Sequence, residues 1–420
     1  MTASAASSTG AVVPTDVFTG QDFYVPSFQV WKGTKVLNNI VPDVLSVSYT
    51  DSLKAIDSFE LTVNNWDPDK ATQNRSGFAT SPFKYSDTKT FEPWQPVELY
   101  MGYIRSGHDE RQKMLSGEIT TMTPTFPASG GSTLSVRALN LLHRFRTKQQ
   151  TLPFSGLKDS EIAEKIVKGI ASDIRKVIPN LTLQVDAAEI GANKANEEIV
   201  PYLVMNNQYP INFLLERSRD IGYELFLEEP AVLPANAGRV VTLHYRPTAA
   251  AKQIVYVLEW GKSLISFQPT LQTANQVSEV TVRGWDPAGK TKIEGKAKRS
   301  EIKGVMQPGD LQLDETGLSQ KLEIMADKPI QSQVEARNKA ASILLRLAQG
   351  IVEAKGKTVG LPNLRAGSKV VVKGLGTRFS GTYLVTETTH TIGDGGYTTD
   401  FSARMEAKVN DLQTGSISAS

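Results

Sequence analysis

Residues 59–68 of the chain read FELTVNNWDP, and residues 278–287 read SEVTVRGWDP. In both stretches an alternating apolar and polar segment, typical of a half-buried β-strand, runs into a Trp-Asp-Pro sequence. Proline has no N–H to donate to a neighbouring strand, so each strand is expected to end there. The two sequences are Trp66-Asp67-Pro68 and Trp285-Asp286-Pro287. We predict that Trp66 and Trp285 occupy equivalent positions in two copies of one β-module.

A second pair of landmarks follows the first in the same order. Ser-Gly pairs ending at Gly117 and Gly381 each open a Thr-rich strand, and glycine pairs then turn each strand back. These glycine pairs are Gly130-Gly131 and Gly395-Gly396. The returning strands contain LSVR at residues 134–137 and FSAR at 401–404. Two repeated sequence features in the same order predict that one β-module occurs twice in the chain.

Length and composition restrict the class of protein. A chain of 420 residues is longer than a single hydrophobic core usually organises, so its length predicts two to four domains. No apolar run reaches the ~18–20 residues that a membrane span needs. Lys and Arg total 46 against 44 Asp and Glu, a balance that does not predict a nucleic-acid partner. The absence of cysteine excludes disulfides and Cys nucleophiles. The N-terminal segment lacks the features of a signal peptide, so an intracellular location is expected.

The predicted fold class is α+β, mainly β, with two duplicated tube-like β-barrel modules. We expect a flexible N-terminal tail over 1–21, a first barrel over 22–150 and an α+β middle domain over 151–262. The second barrel is predicted over 263–408, with a helical insertion at about 290–367, and a flexible tail over 409–420. Short alternating stretches bounded by Gly, Pro, Asn and Asp support the barrel assignments.

Three helices are predicted from apolar periodicity. In the first, isoleucines recur every four residues from 162 to 178, before Pro179. The second begins at Pro210 and ends at Gly222. The third spans 334–349, where Ser332 and Glu335 have the spacing of a capping box and Gly350 closes the helix.

One motif suggests a phosphate site. Residues 284–291, GWDPAGKT, fit the G-x-x-x-x-G-K-[ST] loop, in which Lys290 would contact phosphate oxygens. A helix N-terminus must follow such a loop, yet residues 292–298 alternate with period 2, as in a strand. The first copy keeps Trp-Asp-Pro and lacks Gly-Lys-Thr. We therefore interpret the segment as a strand end and turn, and predict no bound nucleotide or other cofactor.

Other candidate sites are weak. The four histidines lack a second ligand at metal spacing, and His244 and His390 lie within alternating strands, so structural roles are expected and no metal is predicted. No nucleophile-elbow pattern is present. The adjacent pair Glu228-Glu229 fits a solvated loop, although a glycosidase needs only two well-placed acids. The sequence predicts no catalytic residue, and we expect a protein that is not an enzyme.

The C-terminal region carries a family resemblance. Residues 361–368 (LPNLRAGS), 374–385 (GLGTRFSGTYLV), 389–391 (THT) and 395–401 (GGYTTDF) are similar to the late control protein D family, as are residues 282–287 (VRGWDP). Those proteins are baseplate hubs of contractile phage tails, related to the hub portion of type VI secretion spike proteins. The resemblance covers most of the chain and is strongest over 278–290 and 360–405.

The resemblance implies a homotrimeric structural protein of a contractile tail or injection system. Two barrels in each of three chains would form a pseudo-sixfold ring that adapts the inner tail tube protein to a trimeric spike. Fused spike proteins continue into a further barrel and a β-helix that are not found here, so a separate spike protein is expected as partner, beside other baseplate proteins. Such a chain would assemble in the bacterial cytoplasm and then become a component of the virion or injection particle.

Two other classes remain open from the sequence. One is an enzyme, either a P-loop NTPase acting through Lys290 or a cell-wall glycosidase. The other is a receptor- or glycan-binding tail module, which would cluster aromatic side chains on exposed loops. A phage, a tailocin and an extracellular injection system are equally compatible with the sequence.

Overall fold

Strands dominate the structure, as the alternating segments predict. The computed structural model describes residues 15–16, 25–33, 35–68, 82–86, 89–105, 108–177, 182–185, 199–221, 223–228, 240–247, 254–286, 289–302, 305–313, 322–325, 330 and 332–408.

The described residues form twenty-three strands. They are β1 (Thr15–Asp16), β2 (Val25–Lys32), β3 (Lys35–Val36), β4 (Val44–Ser52), β5 (Ser58–Asn64), β6 (Pro96–Arg105), β7 (His108–Asp109), β8 (Gln112–Thr125), β9 (Thr133–Asn140), β10 (Gln150–Leu157), β11 (Thr182–Val185), β12 (Val200–Gln208), β13 (Tyr223–Glu228), β14 (Val240–Pro247), β15 (Ile254–Glu259), β16 (Leu264–Leu271), β17 (Glu279–Asp286), β18 (Thr291–Lys298), β19 (Leu322–Met325), β20 (Val352–Val359), β21 (Lys369–Lys373), β22 (Gly381–Gly393) and β23 (Gly396–Lys408).

The described α-helices are α1 (Asp159–Val177), α2 (Pro210–Ile221), α3 (Gln333–Gln349) and the single turn α4 (Gly376–Phe379). Short 3₁₀ segments span Asn38–Asp43, Leu141–Arg146, Arg299–Glu301 and Gly309–Leu311. The three longer helices agree with the predicted ones to within a residue or two. At the start of α3, the Ser332 hydroxyl accepts the backbone N–H of Glu335 at 3.0 Å, as its capping position predicts.

Two barrel modules share one strand order. In the first module the order across the sheet is β2-β6-β8-β9-β5-β4, and in the second it is β15-β21-β22-β23-β20-β16. Numbered along the chain within each module, both orders are 1-4-5-6-3-2. They differ in one pairing, since β2 is antiparallel to β6 whereas β15 is parallel to β21. The predicted duplication of a β-module is therefore present in the structure.

Each module has its own core, built from the inward-facing residues of its strands. In the first, Phe59, Leu61 and Val63 of β5 alternate with exposed or half-buried neighbours. The second core includes Val370 and Val372 of β21, both fully buried. Burying a side chain of this size contributes ~1.5–3 kcal/mol, so the alternating pattern fixes which face of each strand turns inward.

The predicted equivalence of the two Trp-Asp-Pro segments is wrong. Trp66 follows β5, whose counterpart in the second module is β20, so the matching position lies beyond β20. Trp285 instead belongs to β17, which pairs with β18 and β19 in a separate three-stranded sheet. Both strands alternate and end near an aspartate, but local alternation does not determine which strand a segment pairs with.

The α+β insertion between the modules contains an antiparallel pair, β10 with β12, and a three-stranded sheet in the order β11-β14-β13. α1 and α2 cover them, and the isoleucine stripe of α1 is buried against Phe154 and Phe213. The last predicted member of that stripe, Ile178, lies outside the described residues.

A second insertion interrupts the second module between β16 and β20. It holds the sheet β18-β17-β19, against which α3 packs through Ala336, Ala340 and Leu344. The predicted insertion, 290–367, thus starts too late, because β17 precedes it. The prediction also runs past β20, a strand of the barrel itself.

Two more boundaries differ from the prediction. β15 lies in the stretch assigned to the middle domain, yet it pairs with β21 of the second module. Thr15 and Asp16, expected within a flexible tail, pair with Tyr256 and Val257 of β15. Neither strand alternates strongly enough to be recognised from the sequence alone. The tail predicted over 409–420 lies outside the described residues.

Candidate functional site: the junction between the two modules

The two modules are joined edge to edge in one continuous sheet. Glu387–Ile392 in the second half of β22 pair antiparallel with Val47–Ser52 in β4 of the first module. The first half of β22 pairs along the same edge with β21 of its own module. β22 is therefore the strand that connects the modules, and β4 is its partner from the first.

A threonine pair marks the register of this junction. Thr50 lies opposite Thr389, and their hydroxyl oxygens are 3.1 Å apart. One residue further along, the Thr388 hydroxyl donates a hydrogen bond to the carboxylate of Asp51. Cross-strand hydroxyl and carboxylate bonds of this kind stabilise one register over its alternatives.

A buried charged cluster lies beside the paired strands. Asp51 accepts the N–H of Ala366 at 3.0 Å, and Asp57 accepts the side-chain amide of Asn140 at 2.7 Å. Arg365, from the loop between β20 and β21, reaches into the first module, where its guanidinium lies 4.7 Å from the centre of the Tyr49 ring. The positive charge of Arg365 lies near enough to lower the pKa of both carboxyl groups, although burial raises it more.

Arg365 also binds the first module through backbone carbonyls. Its Nη2 donates to the carbonyl of Lys113 at 2.8 Å and its Nη1 to that of Met114 at 3.3 Å. Both acceptors belong to β8. A planar guanidinium with several donors can satisfy such a divided set of acceptors, which a lysine cannot.

Burial dominates the electrostatics of this cluster. It raises the pKa of Asp57 to about 8, with the negative charge of Asp51 adding to the effect. Burial also raises the pKa of Asp51, although the charge of Arg365 opposes that shift. Arg365 and the hydrogen bonds to the two groups favour their charged forms, against the larger effect of burial.

His390 completes the junction as a neutral side chain. Its Nε2 lies 3.0 Å from the carbonyl of Leu364, an acceptor, so Nε2 carries the proton. Its Nδ1 then accepts a hydrogen bond from the Tyr397 hydroxyl at 3.0 Å. Burial, followed by the positive charge of Arg365, holds the pKa of His390 well below its usual range. The structural role expected for this histidine agrees with these contacts.

The structure does not bring the predicted landmark residues together. Trp66 is partly exposed and contacts Phe83 at the end of the first module, next to Asp67 and Pro68. Trp285 is exposed near the end of β17, and Asp286 is the last residue of that strand. Pro287 lies outside the described residues.

The predicted glycines lie on corresponding hairpins of the two modules. A Cβ atom on Gly117 of β8 would lie 2.0 Å from the Leu139 carbonyl oxygen, and one on Gly381 of β22 would lie 2.4 Å from that of Ala407. Both strands therefore approach their partner too closely for any other residue. Gly130 and Gly131 lie in the connection from β8 to β9, and Gly395 and Gly396 lie at the turn between β22 and β23.

The candidate phosphate loop is a turn between antiparallel strands. Lys290 has a positive φ of 51° and connects β17 to β18, which pair along their full length. No helix N-terminus follows Lys290, since β18 begins at the next residue. The described residues of the loop therefore include no helix N-terminus that could hold a phosphate.

Other chemistry finds little support in the described part of the chain. Within it, no group of three or more His, Asp or Glu side chains converges as metal ligands. A cleft of about 810 Å³ separates α2 and α3 from the sheet of the second module. Its walls carry both signs of charge, for example Arg219 and Arg346 against Glu224 and Glu353. None of the described helices is long and apolar enough to cross a membrane.

Sequence reasoning missed Asp51, Asp57 and Arg365. The alternation of β4 places Asp51 on the inward face, but it does not show which residues Asp51 contacts there. Arg365 lies in a loop, and its partners are far away in the sequence. The one available signal was a charged residue at an inward position of β4.

Comparisons with known proteins place this architecture among phage tail proteins. The 43 kDa tail protein of prophage MuSo2 from Shewanella oneidensis superposes with a TM-score of 0.61 at 14% identity, over 91% of this chain and 98% of that one. A tail protein of Neisseria meningitidis MC58 superposes with a TM-score of 0.60 at 11% identity, over 91% and 97%.

A third similar structure is the c3393 protein of E. coli, a component of the type VI secretion system with structural similarity to the T4 bacteriophage tail proteins gp27 and gp5. Its TM-score is 0.50 at 11% identity, over 86% of this chain and 73% of that one. At these identities the likeness shows the fold, which is that of phage tail proteins and their type VI secretion relatives.

Sequence comparison adds little to this result. Residues 230–394 match the family model of the Alg8 N-terminal domain, which is less than half of the chain. That span begins in the middle domain and ends inside the hairpin of β22 and β23, so it corresponds to no structural unit here. No curated protein matches the sequence.

Proposed function

We propose that the protein is a structural baseplate hub of a contractile tail or injection system. In this proposal three copies form a ring of six similar barrels, which joins a sixfold inner tube to a separate trimeric spike. The observation that carries it is the pair of modules with one strand order, joined edge to edge within the chain. Three chains with two modules each contain six similar modules, which match a sixfold tube. The same three chains match a threefold spike.

The role is mechanical in this proposal. Each module offers a similar face to a tube subunit, so six near-equivalent sites arise on one side of the ring. The insertions differ between the modules, because among the described residues only the second module carries a helix and a three-stranded sheet of this kind, α3 with β17, β18 and β19. They supply threefold features that suit a spike. The geometry around Lys290, described above, argues against a P-loop NTPase.

Native mass measurement of the purified chain, alone and with its tube protein, tests this proposal. We expect three copies per ring. Six copies per ring, or a monomer that does not bind the tube protein under any condition, would contradict it. Because closed rings need matching heterologous contacts, an open chain of copies would also count against the hub.

One observation favours the alternative of a glycan-binding tail module. Phe126 is largely exposed, and its ring centre lies 4.6 Å from that of Phe83, which in turn contacts Trp66. Exposed aromatic clusters suit sugar rings and protein partners equally. A glycan array separates the two, since the hub proposal expects no binding and the alternative expects binding that Phe126→Ala removes.

A further inference from the structure

The three-stranded sheet of the second insertion has one covered face. Helix α3 packs on that face, and its Ala336 shares a core with Val280 of β17 and Ile293 of β18. The contact is close, because a Cβ atom on Gly295 of β18 would lie 2.1 Å from the backbone of Ala336. Side chains alternate between the two faces of a strand, so the intervening residues of β17 and β18 belong to the opposite face.

The opposite face, which we call the outer face, is organised by the strand register. The pairs on it are Trp285 with Lys292, Arg283 with Glu294, Thr281 with Lys296 and Glu279 with Lys298. On the other side of β17, Ile324 of β19 lies opposite Thr281. Trp285 is 59% exposed and Ile324 is 54% exposed. Two large apolar side chains therefore remain in contact with solvent on a face that also carries charge.

The outer face has an excess of positive charge. It carries four positive and two negative side chains. The positive residues, all exposed, are Arg283, Lys292, Lys296 and Lys298, and the negative residues are Glu279 and Glu294. The excess of two equals the net charge of the whole chain, +2, so the rest of the sequence is balanced. Positive charge concentrated on one face attracts a negatively charged partner.

Glu294 shows that these cations bind carboxylates. Its carboxylate lies 3.2 Å from Arg283 Nε and 3.4 Å from Lys296 Nζ, and Lys292 contacts it as well. The hydrogen bond from Lys292, followed by that from Lys296, lowers the pKa of Glu294 to about 2. One carboxylate therefore serves three cations, and each cation keeps further N–H donors for a second acceptor.

The cations at the other end of β18 have the most capacity to bind an external carboxylate. Among the described residues, Lys298 forms no ion pair. The second acid near Lys296 is Glu279, whose oxygen lies 3.9 Å from the ammonium, too far for a hydrogen bond. Carboxylates of a partner would complete the coordination of both lysines.

Protection of the sheet edge does not explain this composition. Lysines on an edge strand such as β18 discourage pairing with other strands. Arg283 and Trp285, however, belong to β17, the central strand of the sheet. Edge protection also gives no reason for exposing Trp285 and Ile324. Tryptophan and arginine are enriched where proteins contact one another, and exposed apolar groups with a polar rim mark such contacts.

The two apolar side chains define the form of the partner. Ile324 lies level with Thr281, four residues from Trp285 along β17, which corresponds to about 13 Å. An extended segment with two apolar side chains four residues apart would reach both, since such positions lie on the same side of an extended chain. Residues between them would bring carboxylates to the cations. A nucleic-acid backbone offers phosphates but no apolar group for Ile324, so a protein segment fits this face.

We propose that the outer face is a docking surface for an acidic, extended segment of another protein. Trp285 and Ile324 bury apolar side chains of that segment, and Arg283, Lys296 and Lys298 bind its carboxylates. This inference goes beyond the proposed function and needs no ring, because the face lies on the insertion and not on a barrel. Native mass measurement of the ring therefore tests the hub separately.

Fluorescein-labelled probes test the docking surface on the full-length chain. The first probe is a peptide of about ten residues, mostly Glu and Asp, with two leucines four positions apart, which is long enough to span the face. The second peptide has serine in place of both leucines, and the third probe is a single-stranded thymidine oligonucleotide of similar charge. In fluorescence anisotropy the leucine peptide should bind at least ~5-fold more tightly than either other probe. Its binding should weaken with added salt, because exposed charges are screened.

Variants of the chain locate the binding site. Trp285→Ala should weaken binding of the leucine peptide by at least ~5-fold, and Lys298→Glu by at least ~3-fold. Trp260→Ala and Lys35→Glu are the matched controls, since Trp260 is 64% exposed just after β15 and Lys35 is exposed on β3. All four substitutions are at exposed positions, and thermal unfolding followed by circular dichroism checks that each variant is folded.

Binding that both outer-face variants weaken, and that neither control weakens, supports the inference. Equal binding of the serine peptide would show that charge alone acts, and tighter binding of the oligonucleotide would show a nucleic-acid site; either result overturns the inference. It is also overturned if the leucine peptide does not bind, or if the controls weaken binding as much as the outer-face variants do. None of these results concerns the number of copies per ring, so the hub proposal is decided independently.

Discussion

Removing Arg365 should weaken the contact between the two modules and lower the free energy of unfolding. Its guanidinium donates to the carbonyls of Lys113 and Met114 in the first module and lies near the buried carboxyl groups of Asp51 and Asp57. Arg365→Met fills the same space with an apolar chain. It leaves those carbonyls without a donor and both carboxyl groups without a nearby cation.

The expected loss of unfolding free energy is ~3–5 kcal/mol, the usual cost of removing one partner of a buried ion pair. Its size should depend on pH. Asp57, whose pKa is about 8, is protonated below that pH with the arginine present as well, so the change falls on Asp51, whose pKa rises further when the opposing charge of Arg365 is lost. Holding a proton on Asp51 costs ~1.4 kcal/mol per pH unit above its unfolded pKa. The loss should therefore be smaller at pH 5 than at pH 8.

Urea unfolding followed by circular dichroism at both pH values measures this loss. Hydrogen exchange of the Ala366 amide, which donates to Asp51 at 3.0 Å, reports the junction itself. Arg378→Met is the matched control, because Arg378 is exposed on the short helix α4. Adding Asp51→Asn to Arg365→Met should recover part of the loss, and the double-mutant cycle gives the coupling. A loss equal to that of Arg378→Met, or one independent of pH, would refute the reasoning.

Lys290→Ala should leave folding and assembly unchanged and reveal no nucleotide site; ATP binding or hydrolysis that disappears in this variant would promote the enzyme alternative. Gly117→Ala should lower the free energy of unfolding by at least ~2 kcal/mol, because its Cβ would overlap a backbone carbonyl of β9. Gly169→Ala is the control: this glycine lies in α1 with open space around it, so the substitution should raise the free energy of unfolding by ~0.5–1 kcal/mol. Equal effects of the two substitutions in urea unfolding would contradict the close approach at Gly117. Asp57, with its pKa raised to about 8, should stabilise the protein as the pH falls. His390 should contribute the opposite slope, a loss of up to ~1.4 kcal/mol per unit as the pH drops below ~6.5, because its pKa is depressed by burial and the unfolded chain takes up the proton first. His390→Gln should flatten this slope in urea titrations whereas His108→Gln, at an exposed site, should not.

The duplication could be predicted from the sequence because a tight hairpin leaves local marks. Close approach of β8 and β22 to their partners demands Gly117 and Gly381, and the returning strands alternate clearly. The pairing of Trp66 with Trp285 failed for the opposite reason. A strand that ends in Trp-Asp-Pro describes a local shape, and its neighbours in the sheet are decided by residues far along the chain.

A more informative repeat was present in the sequence. Residues 44–50 read VLSVSYT and residues 264–270 read LISFQPT, and the structure places both in corresponding strands with the same register shift. The charged junction could not be predicted in the same way. Asp51 and Arg365 meet only because the loop after β20 folds back onto β4, a contact between segments more than three hundred residues apart.

The junction between the modules is buried and polar, and its position within one chain gives a physical reason. Asp51 and Thr388 form a buried polar pair supported by Arg365. A junction within one chain forms at a high effective concentration and tolerates the desolvation of charges, which then fix its register.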